Sequence, residues 1–219
     1  LQATIRESIV LGQTGALQVH RKGFLKAVMT SSLDMAFPAD DALMNKIRGV
    51  PGVKAATARI AFGGMVNAND TSAVAMLSAI DPKTEFAVCP RRLEMISAGK
   101  SLADGAATSA VLTSELAANL GVKLGATATL LTNDRDGVMN ALDVEYNGTF
   151  GQAGLPMPDK KFGFVTLSLA QQLLRMEGQV TEIAVALHNF HDAERMKPIL
   201  QQTLGPEFEV VTWHDVASF

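Results

Sequence analysis

Few residues in this chain are placed to do chemistry. His188 and His191 could share a metal at a strand end and a helix start, but no further pair at ligand spacing joins them. His20 and His214 stand apart, and imidazoles so scattered read as solvated or capping side chains. The stretch Thr132-Asn133-Asp134-Arg135-Asp136-Gly137, leading to Asp143, puts oxygens at the third, fifth and twelfth positions of a calcium loop and Gly at the sixth. Thr132 stands where such a loop needs an acid, and its flanks read as strands rather than helices. The simpler reading is a polar hairpin tip with Gly137 in a left-handed position. Cys89 precedes Pro90 and lies close to Arg91 and Arg92, a setting that can activate a thiol; its plainer role is a small packed residue. A Gly-x-Ser-x-Gly elbow and a phosphate loop are both absent. The expectation is no catalysis, no metal and no cofactor.

Composition narrows the classes further. The chain has 219 residues, 47% of them apolar, enough for one large domain or two small subdomains. Lys plus Arg number 19 against 22 Asp plus Glu, a net charge of −3. A nucleic-acid surface would need a basic stripe, and the densest basic cluster is Arg91-Arg92. The sequence starts without a secretion-signal pattern and holds no apolar run near the ~18 residues of a membrane helix. It therefore reads as cytosolic or as a soluble piece of something larger. A single Cys excludes an internal disulfide and a multi-cysteine zinc site.

The elements that would position these residues follow from periodicity. Leu1 to Leu11 reads as a short helix with Leu1, Ile5 and Ile9 on one face, broken by Gly12 and Gly15. It lacks a capping residue, which is expected of the end of a helix that starts upstream. Ala16 to His20 reads as a strand. Asp40 and Asp41 open a helix that Lys46 and Arg48 close, an order suited to the helix dipole, with Leu43, Met44 and Ile47 as its apolar face. Gly49-Val50-Pro51-Gly52 stops it before a strand from Val53 to about Ile60. A strand from Ala73 to Ile80 follows the Asn67 to Asp70 turn, and Gly63-Gly64 reads as a bulge.

The far end repeats the plan. Glu182 to Leu187 is an alternating strand, and His191 to Leu204 a helix with Met196, Ile199, Leu200 and Leu204 on one side. Gly205-Pro206 stops it, and Phe208 to Trp213 is again a strand, with Trp213 a packing anchor. Two strand–helix–strand units imply an α+β fold with a split, ferredoxin-like α/β layer formed by both chain ends. Residues 81–179 read as a mainly β insert. It has a helix from Thr113 to Leu120 stopped by Gly121, and strands at Thr127 to Leu131, Val144 to Phe150 and Phe162 to Leu167. Ser168 and Gln171 would box the start of a helix running to Met176, and Gly151 to Asp159 is a loop. Met44, Met76 and Met196 fall on apolar faces as core filler.

Several segments resemble one family. Gly15-Ala16-Leu17-Gln18-Val19-His20 is similar to the segment after the first membrane helix of lipoprotein-release-type permeases. Ile47-Arg48-Gly49-Val50-Pro51-Gly52-Val53 is similar to that family's helix exit. Ala79-Ile80-Asp81-Pro82 resembles its Gly-Ile-Asp-Pro motif, with Ala79 in place of Gly. Leu116-Ala117 through Leu120-Gly121-Val122-Lys123-Leu124-Gly125 resembles its Leu-Ala-x-x-Leu-Gly-Val-x-x-Gly-Asp stretch, with Ala126 where Asp is usual. Ala170-Gln171 through Leu174 matches its Ala-Gln-x-Leu helix. In this order and spacing the chain resembles the periplasmic core domain of ABC-transporter permeases of the MacB, LolC/LolE and FtsX-like type.

The resemblance implies a Porter-like α/β subdomain from residues 1–80 and 180–219 and a Sabre-like insert from residues 81–179. It implies a non-enzymatic domain on the periplasmic side of a bacterial inner membrane. Membrane helices would join both its ends, and motion would reach it from a cytoplasmic ATPase. The implied partners are that ATPase, a second permease subunit and a periplasmic protein or lipoprotein. A carrier-recruiting member of the family uses a long Sabre hairpin; the matching hairpin here, Thr132 to Leu142, is shorter. Its residues Asn133, Asp134, Arg135, Asp136, Gly137, Val138, Met139 and Asn140 are the candidate partner contacts, and the loop Gly151 to Asp159 of the insert is the other surface of interest. A different class remains open, a ligand-sensing or substrate-binding domain with a pocket between its subdomains.

Overall fold

The computed structural model describes residues 2–27, 32–151 and 161–217. In chain order the elements begin with α1 (Gln2–Ile9), a π-helical turn (Val10–Thr14), β1 (Leu17–Arg21), α2 (Phe24–Ala27), a 3-10 turn (Ser32–Met35), β2 (Phe37–Pro38) and α3 (Asp41–Arg48). Next come β3 (Val53–Ala68), β4 (Thr71–Ile80), α4 (Glu85–Val88), α5 (Arg91–Glu94), β5 (Ile96–Gly99), β6 (Ser109–Thr113) and α6 (Ser114–Leu120). The rest are β7 (Thr127–Asn133), β8 (Met139–Phe150), β9 (Phe162–Thr166), α7 (Leu167–Leu174), β10 (Gln179–Val180), β11 (Glu182–Leu187), a 3-10 turn (Phe190–Asp192), α8 (Ala193–Leu204), β12 (Phe208–Thr212) and α9 (Trp213–Ala217). The fold is mixed α+β. It forms two compact units, one of Leu1–Arg59, Lys83–Arg92 and Gly178–Phe219, the other of Ile60–Pro82 and Leu93–Glu177.

The first unit carries strands in the order β12, β1, β11, β3, each antiparallel to its neighbour. The chain visits them as strand, helix, strand and again strand, helix, strand, with α3 and α8 as the crossovers. Helix α3 starts where its residues require: Asp40 accepts the Leu43 amide at 2.8 Å, and Lys46 and Arg48 lie in the last turn. Met44 and Ile47 are buried, and α3 packs beside α8. In α8, Met196, Leu200 and Leu204 face inward, whereas Ile199 is 41% exposed and leaves the expected apolar row. Strand β11 does not alternate. Ala184 and Ala186 pack on Val88 and Cys89, and Ile183 and Val185 of the opposite face are equally buried.

The amino-terminal helix also departs from its expected end. Gly12 does not break it; the backbone continues as a π turn to Thr14, and Gly15, at φ +74°, stops it. A Cβ on Gly15 would stand 3.0 Å from the Val185 carbonyl. At the other end, Trp213 opens α9 instead of closing a strand.

In the second unit the strand pairings run in a closed circuit: β3 to β4, β4 to β9, β9 to β6, β6 to β8, β8 to β7 and β7 back to β3. Strand β5 adds to β8 outside this ring. Strand β3 runs through Gly63-Gly64 without a break, because β7 lies against it there. Thr132 donates to the Gly63 carbonyl at 2.8 Å, and a Cβ on Gly64 would come within 3.0 Å of the Leu131 carbonyl. Leu77, Leu112, Leu116, Leu120, Leu130 and Leu173 fill the interior. Met76 points out, 43% exposed, and is not core filler. The cap of α7 is Thr166, which accepts the Leu169 amide, and not Ser168. Strands β5 and β6 had no counterpart among the strands expected from sequence. Gly121 ends α6 in the left-handed region, as expected. Among the described residues no helix is long and apolar enough to cross a membrane.

Candidate functional site

The hairpin between β7 and β8 separates into an anchor and a presented tip. Asp134 is buried, and its Oδ1 accepts the amides of Asp136 and Val138, both at 2.9 Å. Its Oδ2 accepts the Asn140 side-chain amide at 3.0 Å, and Arg175 stands 3.7 Å away. Desolvation alone would push the Asp134 carboxyl up, but the donors Val138, Asn140 and Asp136, with the Arg175 charge, hold it below the ordinary carboxylate value. Asn140 also donates to the Leu173 carbonyl at 3.1 Å, which fastens the hairpin to α7. Gly137 takes φ +80°, the left-handed geometry of a hairpin tip. Around this anchor Asn133, Arg135, Asp136, Gly137, Val138 and Met139 are exposed, Met139 by 69%. The oxygens of the calcium reading are not gathered. Asp134 serves the turn, and Asp143 accepts the Thr129 hydroxyl at 2.7 Å. Of the loop expected at Gly151 to Asp159, residues 152–159 lie outside the described residues.

The histidines also take separate places. The His188 amide donates to the Gly52 carbonyl at 3.0 Å, and the His191 amide is capped by Asn189 at 3.1 Å. Among the described residues no group of three or more His, Cys, Asp and Glu could hold a metal. His20 is buried. It stacks on Phe24 with centroids 4.3 Å apart, and its nitrogens face the Thr181 carbonyl and the Gln18 amide oxygen at 3.0 and 3.1 Å. Burial pushes its pKa below the ordinary value, against the pull of Glu182 and the Thr181 hydrogen bond.

The first unit also holds a buried ionic cluster that has no local signature in the sequence. Arg59 reaches Glu85 through two bonds, Nε to Oε2 at 3.0 Å and Nη2 to Oε1 at 2.7 Å, and Glu182 at 2.9 Å. Arg92 approaches the same Glu85 oxygen at 3.0 Å. Both guanidiniums then close on the carbonyls that end the π turn. Arg59 donates to Gln13 at 3.0 Å; Arg92 donates to Gln13 at 2.7 Å and to Gly12 at 3.2 Å. These are carbonyls that a helix end leaves without backbone partners, and two cations suit the negative end of its dipole. Desolvation opposes ionisation of Glu85, but Arg59 and Arg92 outweigh it and hold the carboxyl below its usual range. Cys89 is fully buried with its sulfur 3.1 Å from Arg59, while Arg91 turns to Ser8 at 2.7 Å and Glu7 at 3.4 Å. The cue in the sequence is slight, an Arg that follows Lys54 and Thr57 in the strand expected from Val53 to about Ile60; its partners lie in three other segments.

No protein-family model matches the sequence, and no curated protein matches it. Solved structures do. The chain is similar to the extracellular domain of the noncanonic ABC-type transporter YknZ from Gram-positive bacteria, at 12% identity and a TM-score of 0.60, over 90% of this chain and 99% of that one. It is similar to the periplasmic region of MacB from Actinobacillus actinomycetemcomitans, at 14% identity and a TM-score of 0.62, over 98% of this chain and 96% of that one. The likeness suggested by the motifs therefore holds for the fold: this chain is built on the mixed α+β architecture of the extracytoplasmic domains of YknZ and MacB.

Proposed function

We propose that the chain is the extracytoplasmic domain of an ABC-transporter permease, and that it transmits ATP-driven motion from the membrane to substrate or partner. The observation that carries this is the correspondence over 98% of this chain and 96% of the MacB periplasmic region. In this reading α1 and α9 lead to membrane helices in a bacterial inner membrane, the domain faces the periplasm, and it does no catalysis and uses no cofactor. The strand order β12, β1, β11, β3 with two helical crossovers supports assigning the first unit as the ferredoxin-like, Porter-type layer. The second unit, mainly β, is then the Sabre-type layer.

The ionic cluster supports a mechanical role. Arg59 and Arg92 tie the end of the first helix to β3 and α4, so displacement of that helix is passed to the sheet. The exposed hairpin tip at Asn133, Arg135, Asp136, Gly137, Val138 and Met139 is the partner contact, held by Asp134 and Asn140. The partners are a cytoplasmic ATPase, a second permease subunit, and a periplasmic protein or lipoprotein. A disulfide engineered between the external domains of the two permease subunits in the intact transporter tests the proposal. Oxidation is expected to stop transport, with reduction restoring it; transport that continues with the lock closed overturns the mechanical reading.

A further inference from the structure

One cavity in the first unit is lined by residues from both terminal elements. It opens to solvent and holds about 290 Å³ among Arg6 of α1, Phe190 and His191 of the 3-10 turn, Glu194 in the first turn of α8, and Trp213 and His214 of α9. That volume lies just below the ~300–1,000 Å³ of sites for drug-sized ligands, so it suits a small polar group. Its wall is fixed. Asp215 accepts the Thr212 amide at 2.8 Å and Lys197 of α8 at 2.7 Å, and the Trp213 amide donates to the Ala16 carbonyl at 3.2 Å. Two rings back the polar groups, with Phe190 4.1 Å from His191 and Trp213 set edge-on to His214 at 5.6 Å.

The charges in this cavity are mixed: a guanidinium, a carboxylate, two imidazoles and an indole. Among the described residues neither Arg6 nor Glu194 has an ion-pair partner. A purely anionic ligand would meet Glu194, and a purely cationic one would meet Arg6. A group carrying both charges satisfies both. We propose that the cavity receives the headgroup of a zwitterionic phospholipid, its phosphate on Arg6 and the imidazoles, its ammonium against Glu194 and the face of Trp213. The inference rests on the permease reading, in which α1 and α9 bring this cavity to the membrane surface, where amphipathic rings such as Trp concentrate.

Trp213 is the chain's single Trp, so its fluorescence reports on the cavity alone. The 219-residue chain is mixed with vesicles of phosphatidylethanolamine and phosphatidylglycerol, with vesicles of phosphatidylglycerol alone, and with free phosphoethanolamine. Binding is read by flotation and by Trp213 emission. The expected result is binding and an emission change with the phosphatidylethanolamine vesicles, weakened about tenfold by Arg6→Ala and by Glu194→Ala. Both residues are exposed, so unchanged melting of the variants shows that folding is not the cause. Equal binding to phosphatidylglycerol alone, insensitive to Glu194→Ala, overturns the proposal in favour of a simple anionic surface. Binding of free phosphoethanolamine without vesicle binding overturns the membrane source, and no binding in any arm overturns the site. Any of these failures beside a working disulfide lock in the transporter sinks the headgroup site and leaves the permease reading standing.

Discussion

Arg59 and Glu85 meet in the first unit as a two-bond ion pair, 2.7 and 3.0 Å, with the Glu85 side chain fully buried. A carboxylate so placed persists because two guanidiniums and the hydrogen bonds they make replace its water. Removing it leaves Arg59 and Arg92 buried without their shared partner. Glu85→Ala is expected to destabilise the chain by about 3–5 kcal/mol, measured by urea unfolding. A loss under ~1 kcal/mol would mean that water takes the place of the carboxylate and that the cluster ties nothing together.

His20 makes stability depend on pH. Burial holds its pKa below 6.5, while Glu182, Glu209 and Arg59 are the charged groups around it. As the pH falls, the unfolded chain takes up a proton that the folded chain resists, so stability drops progressively below about pH 6.5. Glu85 extends the loss at lower pH, since its folded carboxyl titrates below the unfolded one. His20→Asn keeps a donor toward the Thr181 carbonyl and is expected to flatten the slope between about pH 7 and pH 5. An unchanged slope in that variant assigns the effect elsewhere.

Two neighbouring hydroxyls separate the alternative caps of α7. Thr166 accepts the Leu169 amide and donates to the Ala107 carbonyl, whereas among the described residues the Ser168 hydroxyl meets that of Thr166, at 3.4 Å. Thr166→Ala is expected to cost about 1 kcal/mol, and Ser168→Ala under ~0.5 kcal/mol. The reverse order in thermal melts would restore Ser168 as the cap.

At the hairpin, Asp134→Asn keeps an oxygen for the Asp136 and Val138 amides but sets its own amide against that of Asn140. Hydrogen exchange is expected to show those two amides still protected in Asp134→Asn and unprotected in Asp134→Ala. Met139→Ser and Val138→Ser, both on the exposed tip, are expected to leave melting unchanged and, under the proposed permease role, to lower transport in the intact transporter. Full transport in the double variant would remove the tip from partner contact.

Much of this was readable in advance where a local signal suffices. Asp40 and Gly49 bound α3, Gly121 ends α6, and Gly137 turns the hairpin because each acts within a few residues of itself. Sequence alone ends β3 early because two glycines normally weaken a strand, and the flanking β4 and β7 that compensate are distant in the chain or in register. Helix α8 looked wider on its apolar side than it is, since a sequence pattern does not say whether the row through Ile199 meets a neighbour. The hairpin was legible as a place, but not its division into buried Asp134 and exposed Met139. The ionic cluster was not legible, since Arg59, Glu85, Arg92 and Glu182 come together only through long-range pairing.

The closed circuit of strands in the second unit has a mechanical consequence. A strand at a free border can be unzipped one bond at a time under small loads. Each of these six has a paired neighbour on both flanks over part of its length, so a tug at the Met139 tip loads β7 and β8 in shear, many bonds together. A contact made at that tip would thus be felt by the whole ring at once, as by the rim of a drum.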